Sequence, residues 1–126
     1  MKLKTILVAF VALPSLLSSC KKNNDDDYPK SVNIQYKVSS PSGLTQATSV
    51  IYMNETGALT NLSNQALPYT KSLSRTVNRG DALSLRADAV GNGSLKLEIL
   101  VNNEVVKTSS PSGSTTITGT IVHQFQ

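Results

Sequence analysis

Two hydropathy patterns divide this chain. Ile6 to Leu17 runs apolar, broken only by Pro14 and Ser15, whereas from Ser31 onward apolar and polar residues alternate. Alternation with period two marks strands that bury one face. In Ser31–Ser39, Val32, Ile34, Tyr36 and Val38 share one face, and Asn33, Gln35 and Lys37 the other. After a turn at Pro41-Ser42-Gly43, Ala47–Met53 predicts a central strand, apolar on both faces near Val50-Ile51-Tyr52. Asn54 to Gly57 turns the chain into a short strand over Ala58–Leu62.

The second half repeats the pattern. Pro68 cannot donate to a ladder, so it separates strands. Tyr69, Lys71, Leu73, Arg75 and Val77 then share a face. Two cations within an apolar row predict an edge strand protected by charge. Ala82–Val90 turns Leu83, Leu85, Ala87 and Ala89 inward and Arg86 and Asp88 outward. Gly91-Asn92-Gly93 reads as a tight hairpin turn that needs positive φ. Leu95, Leu97, Ile99 and Val101 point inward from the next strand, with Lys96 and Glu98 outward, and Asn102-Asn103 fits a two-residue hairpin into Glu104–Thr108. After a Ser/Pro/Gly loop over 109–114, Thr115–Phe125 sets Ile117, Gly119, Ile121, His123 and Phe125 on one face. Seven to eight short strands with no helical period predict an all-β, antiparallel sandwich of two sheets over residues 31–126.

The first apolar run has another meaning. About a dozen residues after Lys2 and Lys4 form a signal-peptide core, too short to span a bilayer permanently. It ends in Leu17-Ser18-Ser19-Cys20, which resembles the bacterial lipobox and implies that Cys20, the only cysteine, is lipidated and becomes the first mature residue. Several acyl chains on one residue anchor stably where one chain binds marginally. Residues 1–19 are then the signal and 20–30 a flexible tether. Asp25-Asp26-Asp27 reads either as solvated spacer or as a sorting signal. Acidic residues soon after a lipidated cysteine resemble the surface-export signal of Bacteroidetes-type lipoproteins, although Lys21, Lys22, Asn23 and Asn24 intervene. The expected location is the cell envelope, at the outer membrane, facing either the periplasm or the surface.

Composition narrows the chemistry. Ser, Thr and Asn make up 39 of 126 residues, a bias toward strands and polar turns. One cysteine allows no disulfide within the chain, and one histidine no Cys/His zinc site, so neither a metal nor a cofactor is expected. Losing Lys2 and Lys4 with the leader lowers the net charge from +4 to +2, a balance that does not describe a nucleic-acid surface. His123 lacks a nucleophile or orienting acid in nearby sequence. Glu55, Asp81, Asp88, Glu98 and Glu104 stand singly, in turns or on outward faces, unlike a catalytic carboxylate pair. No phosphate loop, nucleophile elbow or metal-ligand spacing occurs. Two binding features remain. Tyr36, Tyr52 and Tyr69 read as core or as a stacking platform, and Lys71, Arg75, Arg79 and Arg86 as edge protection or as a contact for an anionic partner.

The order of motifs also resembles the MmpS family of small membrane proteins. An opening Val-x-Ile-x-Tyr-x-Val strand is followed by Ile51-Tyr52-Met53-Asn54 with Gly57, then Leu67-Pro68-Tyr69. Gly93 to Asn102 and Val105-Val106-Lys107 complete it. The resemblance covers residues 32–123. It implies an Ig-like β-sandwich outside the membrane and a role assisting large exporting transporters. Members commonly carry a disulfide between the strand of residues 95–101 and the last strand, where this chain has Leu97, Val122 and His123. Their anchor is a transmembrane helix, where this chain has a lipid site. The expected function is a non-enzymatic, lipid-anchored binding or scaffolding module with an envelope protein or transporter as partner. Lys71, Arg75 and Arg79 are the expected contact. The alternative is a surface lipoprotein that binds glycan, against which the absence of Trp weighs.

Overall fold

The computed structural model describes residues 27–126, so the leader, Cys20 and the tether through residue 26 lie outside the described residues. The described chain is all-β, and every strand pairing is antiparallel. Eight strands have six or more residues: β1 (Lys30–Ser39), β2 (Gln46–Met53), β3 (Leu59–Ala66), β4 (Tyr69–Val77), β5 (Ala82–Val90), β7 (Lys96–Val101), β8 (Glu104–Ser109) and β10 (Thr116–Gln124). Two more, β6 (Gly93–Ser94) and β9 (Ser112–Gly113), have two residues each.

One sheet has the order β4-β1-β7-β8, a second β10-β5-β2-β3, and β6-β9 form a small ribbon. The inward rows of both large sheets join in one hydrophobic cluster. Val32, Ile34, Tyr36 and Val38 of β1 and Leu97 and Ile99 of β7 meet Val50 and Tyr52 of β2, Leu83 and Leu85 of β5, and Ile117 and Ile121 of β10. The Tyr36 and Tyr52 rings sit 5.4 Å apart, and the Tyr36 hydroxyl donates to the Met53 carbonyl at 2.7 Å, which ties the two sheets together. No charged or polar residue is buried among the described residues.

Most of the strand reading holds. β2 is central, flanked by β5 and β3, and β4 is an edge. Val101 pairs with Glu104 across Asn102-Asn103, whose φ values of 50° and 67° meet the left-handed demand of a two-residue hairpin.

Three details differ from the sequence reading. β3 runs Leu59–Ala66 rather than Ala58–Leu62. Its second half, Ser-Asn-Gln-Ala, looks like a turn because Asn64 adopts φ 53° within the strand. Gly91-Asn92-Gly93 bends at positive φ as expected, yet it is no hairpin: β5 pairs with β10 and β2, β7 with β1 and β8, so the bend carries the chain between sheets. The 109–114 loop contributes β9, which holds that crossing in place through β6.

The pairing also sorts the connections by end. Residue 30 starts β1 at the end where the tether enters, together with the 54–58, 78–81 and 102–103 connections. The 40–45, 67–68, 91–92, 110–111 and 114–115 connections gather at the opposite end, and none of them contains a charged residue.

Candidate functional site

The basic residues singled out from sequence take separate places. Lys71 is half-buried in β4, opposite Tyr36 of β1. Arg75, opposite Val32, is turned into the tether end of the molecule. Its Nη1 donates to the Ala82 carbonyl at 3.2 Å and lies 3.5 Å from the Met53 sulfur. Its Nη2 lies 3.7 Å from Asp81, and the side chain is only 12% exposed. Gly57 leaves room for it: a Cβ there would stand 3.2 Å from Nη2. A guanidinium so fully engaged holds the end of β4 and offers little to a partner. Arg79 is exposed and lies over the Tyr28 ring, with its Cζ 5.7 Å from the centroid. Lys30 also lies over that ring at 4.8 Å, and the Tyr28 hydroxyl donates to the Gln126 carbonyl at 3.0 Å. Tyr28, just ahead of β1, is thus fastened to the domain. Arg86 is spent on Asp88 across the outer face of β5, at 3.2 Å.

The three tyrosines form no exposed platform. Tyr36 and Tyr52 are buried between the sheets, and burial pushes the Tyr36 hydroxyl far above its ordinary pKa. Tyr69 is half-buried, and its pKa is raised by burial first and then by its neighbour Tyr52.

His123 packs edge-on against Phe125 at 5.0 Å. Burial, followed by Lys107 and Lys30, holds its imidazole below the ordinary value. It borders a groove of about 540 Å³ between the start of β1, the β7–β8 hairpin and the end of β10, with Tyr28, Lys30, Glu104 and Phe125. Among the described residues no three His, Cys, Asp or Glu side chains gather as a metal site would need.

A second groove, of about 360 Å³, lies on the outer face of the first sheet. Its floor is β1 against β4, where Asn33 pairs with Ser74 and Gln35 with Ser72. Those pairs also bond through their side chains: Ser74 Oγ donates to Asn33 Oδ1 at 2.8 Å, and Gln35 Nε2 to Ser72 Oγ at 3.3 Å. Asn103 forms a wall. The wall is pinned because the Asn33 N–H donates to Asn102 Oδ1 at 3.0 Å and the Asn102 N–H donates to the Asn33 carbonyl at 2.8 Å. The lining is uncharged: five hydrogen-bonding residues, Asn33, Gln35, Ser72, Ser74 and Asn103, with Ile34 and Leu73 of the strands between them. Sequence reasoning passed over them because outward Asn, Gln and Ser look like ordinary solvent-facing positions. The available signal was the run of uncharged polar residues at alternate positions in both Ser31–Gln35 and Thr70–Thr76, and what hid it was that those strands are neighbours.

Comparison with known protein families and with curated proteins finds no match to this chain. The likeness to MmpS proteins therefore rests on the residues quoted above.

Proposed function

We propose that this protein is a lipid-anchored, non-enzymatic envelope module, an Ig-like β-sandwich held at the outer membrane through Cys20. It works by binding or scaffolding, as an accessory to a membrane transporter or another envelope assembly in the manner that the MmpS likeness implies. The observation that carries this reading is the apolar run Ile6–Leu17 closing on Leu-Ser-Ser-Cys, just ahead of a tether and a β domain. The fastened tether root at Tyr28 supports it, since an anchor positions a domain better through a fixed joint than through a loose one. The partner meets the open edge of β4, where an edge strand offers unpaired backbone groups and Lys71 and the Arg79 turn offer charge. Arg75 keeps the end of that strand in place.

The test is incorporation of a labelled fatty acid into the full chain beside Cys20→Ala. Label in the wild type and none in the variant is the expected result, and an unlabelled wild type removes the anchor. A second reading, a surface lipoprotein that binds glycan, is favoured by the uncharged polar groove on β1 and β4.

A further inference from the structure

We propose that the groove between the outer face of β1–β4 and the Asn102-Asn103 turn binds a segment of neutral polysaccharide. This rests on the second reading above and gives it a site.

The chemistry of the groove selects the ligand class. Asn33, Gln35, Ser72, Ser74 and Asn103 supply its side-chain polar groups, and no charged residue lines it. An anionic ligand would find no counter-charge there. An apolar ligand would strip water from amides and hydroxyls without replacing their hydrogen bonds, at a cost. A chain of sugar hydroxyls can replace them, because each hydroxyl both donates and accepts.

The internal hydrogen bonds prepare the groove for that exchange. Ser74 Oγ donates to the Asn33 side-chain oxygen, and the Asn33 side-chain amide keeps its N–H groups as donors. Gln35 spends its Nε2 on Ser72, which leaves the Gln35 Oε1 as an acceptor. Asn33 and Gln35 stand two residues apart on the same face of β1, about 7 Å, so the strand offers an N–H donor and an oxygen acceptor at a spacing that hydroxyls on separated parts of a sugar chain can meet. Both residues stand on a strand, and the wall at Asn103 is locked by the reciprocal Asn33–Asn102 pair, so little ordering is left for the ligand to impose.

Affinity per segment is expected to be low, because Tyr36, Tyr52 and Tyr69 face the core and provide no stacking surface. A polymer that presents the same segment many times, to many copies of the protein on one membrane, compensates by avidity. Polymers are accordingly the right probes.

The experiment is native affinity electrophoresis of the full chain in detergent. Separate gels contain galactomannan, xylan or laminarin as neutral polysaccharides, or polygalacturonate as an anionic one. The expected result is retardation by at least one neutral polymer. The double variant Asn33→Ala/Gln35→Ala should weaken it about tenfold, the loss of roughly two ordinary hydrogen bonds. Asn103→Gly keeps the left-handed backbone of the turn while removing the wall's side chain, and should weaken retardation with the fold intact. Thr118→Ala, on the outer face of the other sheet, should leave it unchanged. Retardation by none of the neutral polymers, by polygalacturonate alone, or by a neutral polymer equally for wild type and both groove variants overturns the proposal. Fatty-acid labelling of the same preparations reports the anchor separately, so either idea can fail without the other.

Discussion

Leu97 shows what a single side chain contributes. It is fully buried and sits in the strand that lies between β1 and β8. Leu97→Ala removes three heavy atoms from a packed core and should cost about 2–4 kcal/mol, read as a lower urea midpoint at unchanged slope. A change below about 0.5 kcal/mol would mean that Leu97 faces outward, since a one-residue slip reverses every side chain. His123 makes a different, pH-dependent contribution. Its proton affinity is lower in the folded chain than in the unfolded one, so the unfolded state binds more protons as pH falls through 6.5. Stability attributable to this residue is present above that pH and is lost below it. Burial opposes its protonation first and Lys107 and Lys30 add to that, while Glu104 borders the same groove. His123→Gln should therefore flatten the acid side of the stability profile below about pH 6.5. An unchanged profile would assign that acid sensitivity to the carboxylates.

Strands were legible where alternation was clean and one face was wet: β1, β5, β7 and β10 read directly from their inward rows. β3 was cut short because a left-handed Asn64 interrupts it and because an edge strand carries few apolar residues. Which strands are neighbours was not legible. Alternation says that a face is buried and not against what, so the polar rows of β1 and β4 could not be seen to adjoin, nor the Gly91–Gly93 bend to cross between sheets. The 109–114 segment illustrates the same limit. It reads as plain loop, yet Pro111 lies over Gly119 of β10, where an added Cβ would stand 2.6 Å from the Pro111 Cγ. Gly119 is required here for space beneath the loop. Gly119→Ala should destabilise the domain by about 1–3 kcal/mol through overpacking. Pro111→Ala removes the Cγ and should restore much of that loss in the double variant. Additive effects of the two substitutions would show that the loop does not press on the strand.

At the scale of the whole molecule, the proposed anchor and the strand directions together would set which end of the domain lies nearest the membrane. Seven residues separate Cys20 from Tyr28, a reach of at most about 28 Å. Tyr28 is fastened to Gln126 at the end where β1 begins. β1 then carries the chain ten residues, about 33 Å, toward the uncharged connections. With Cys20 acylated, Ser31 stays near the bilayer while Asn92 in the β5–β6 bend stands a domain length farther away. If Cys20, the only cysteine, carries the proposed lipid, a single introduced cysteine becomes a clean probe of height. Ser31→Cys and Asn92→Cys are both at exposed positions. A polyethylene-glycol maleimide should label them at similar rates in detergent. In reconstituted vesicles it should label Asn92→Cys several times faster, because the bilayer excludes the polymer from the near end. Equal rates in vesicles, with the chain shown to be lipid-bound, would mean that the domain swings freely on its tether and that the joint at Tyr28 does not set its orientation. Adding Tyr28→Ala to each cysteine variant separates the two accounts: loss of the rate difference with an unchanged melting temperature assigns the orientation to that joint.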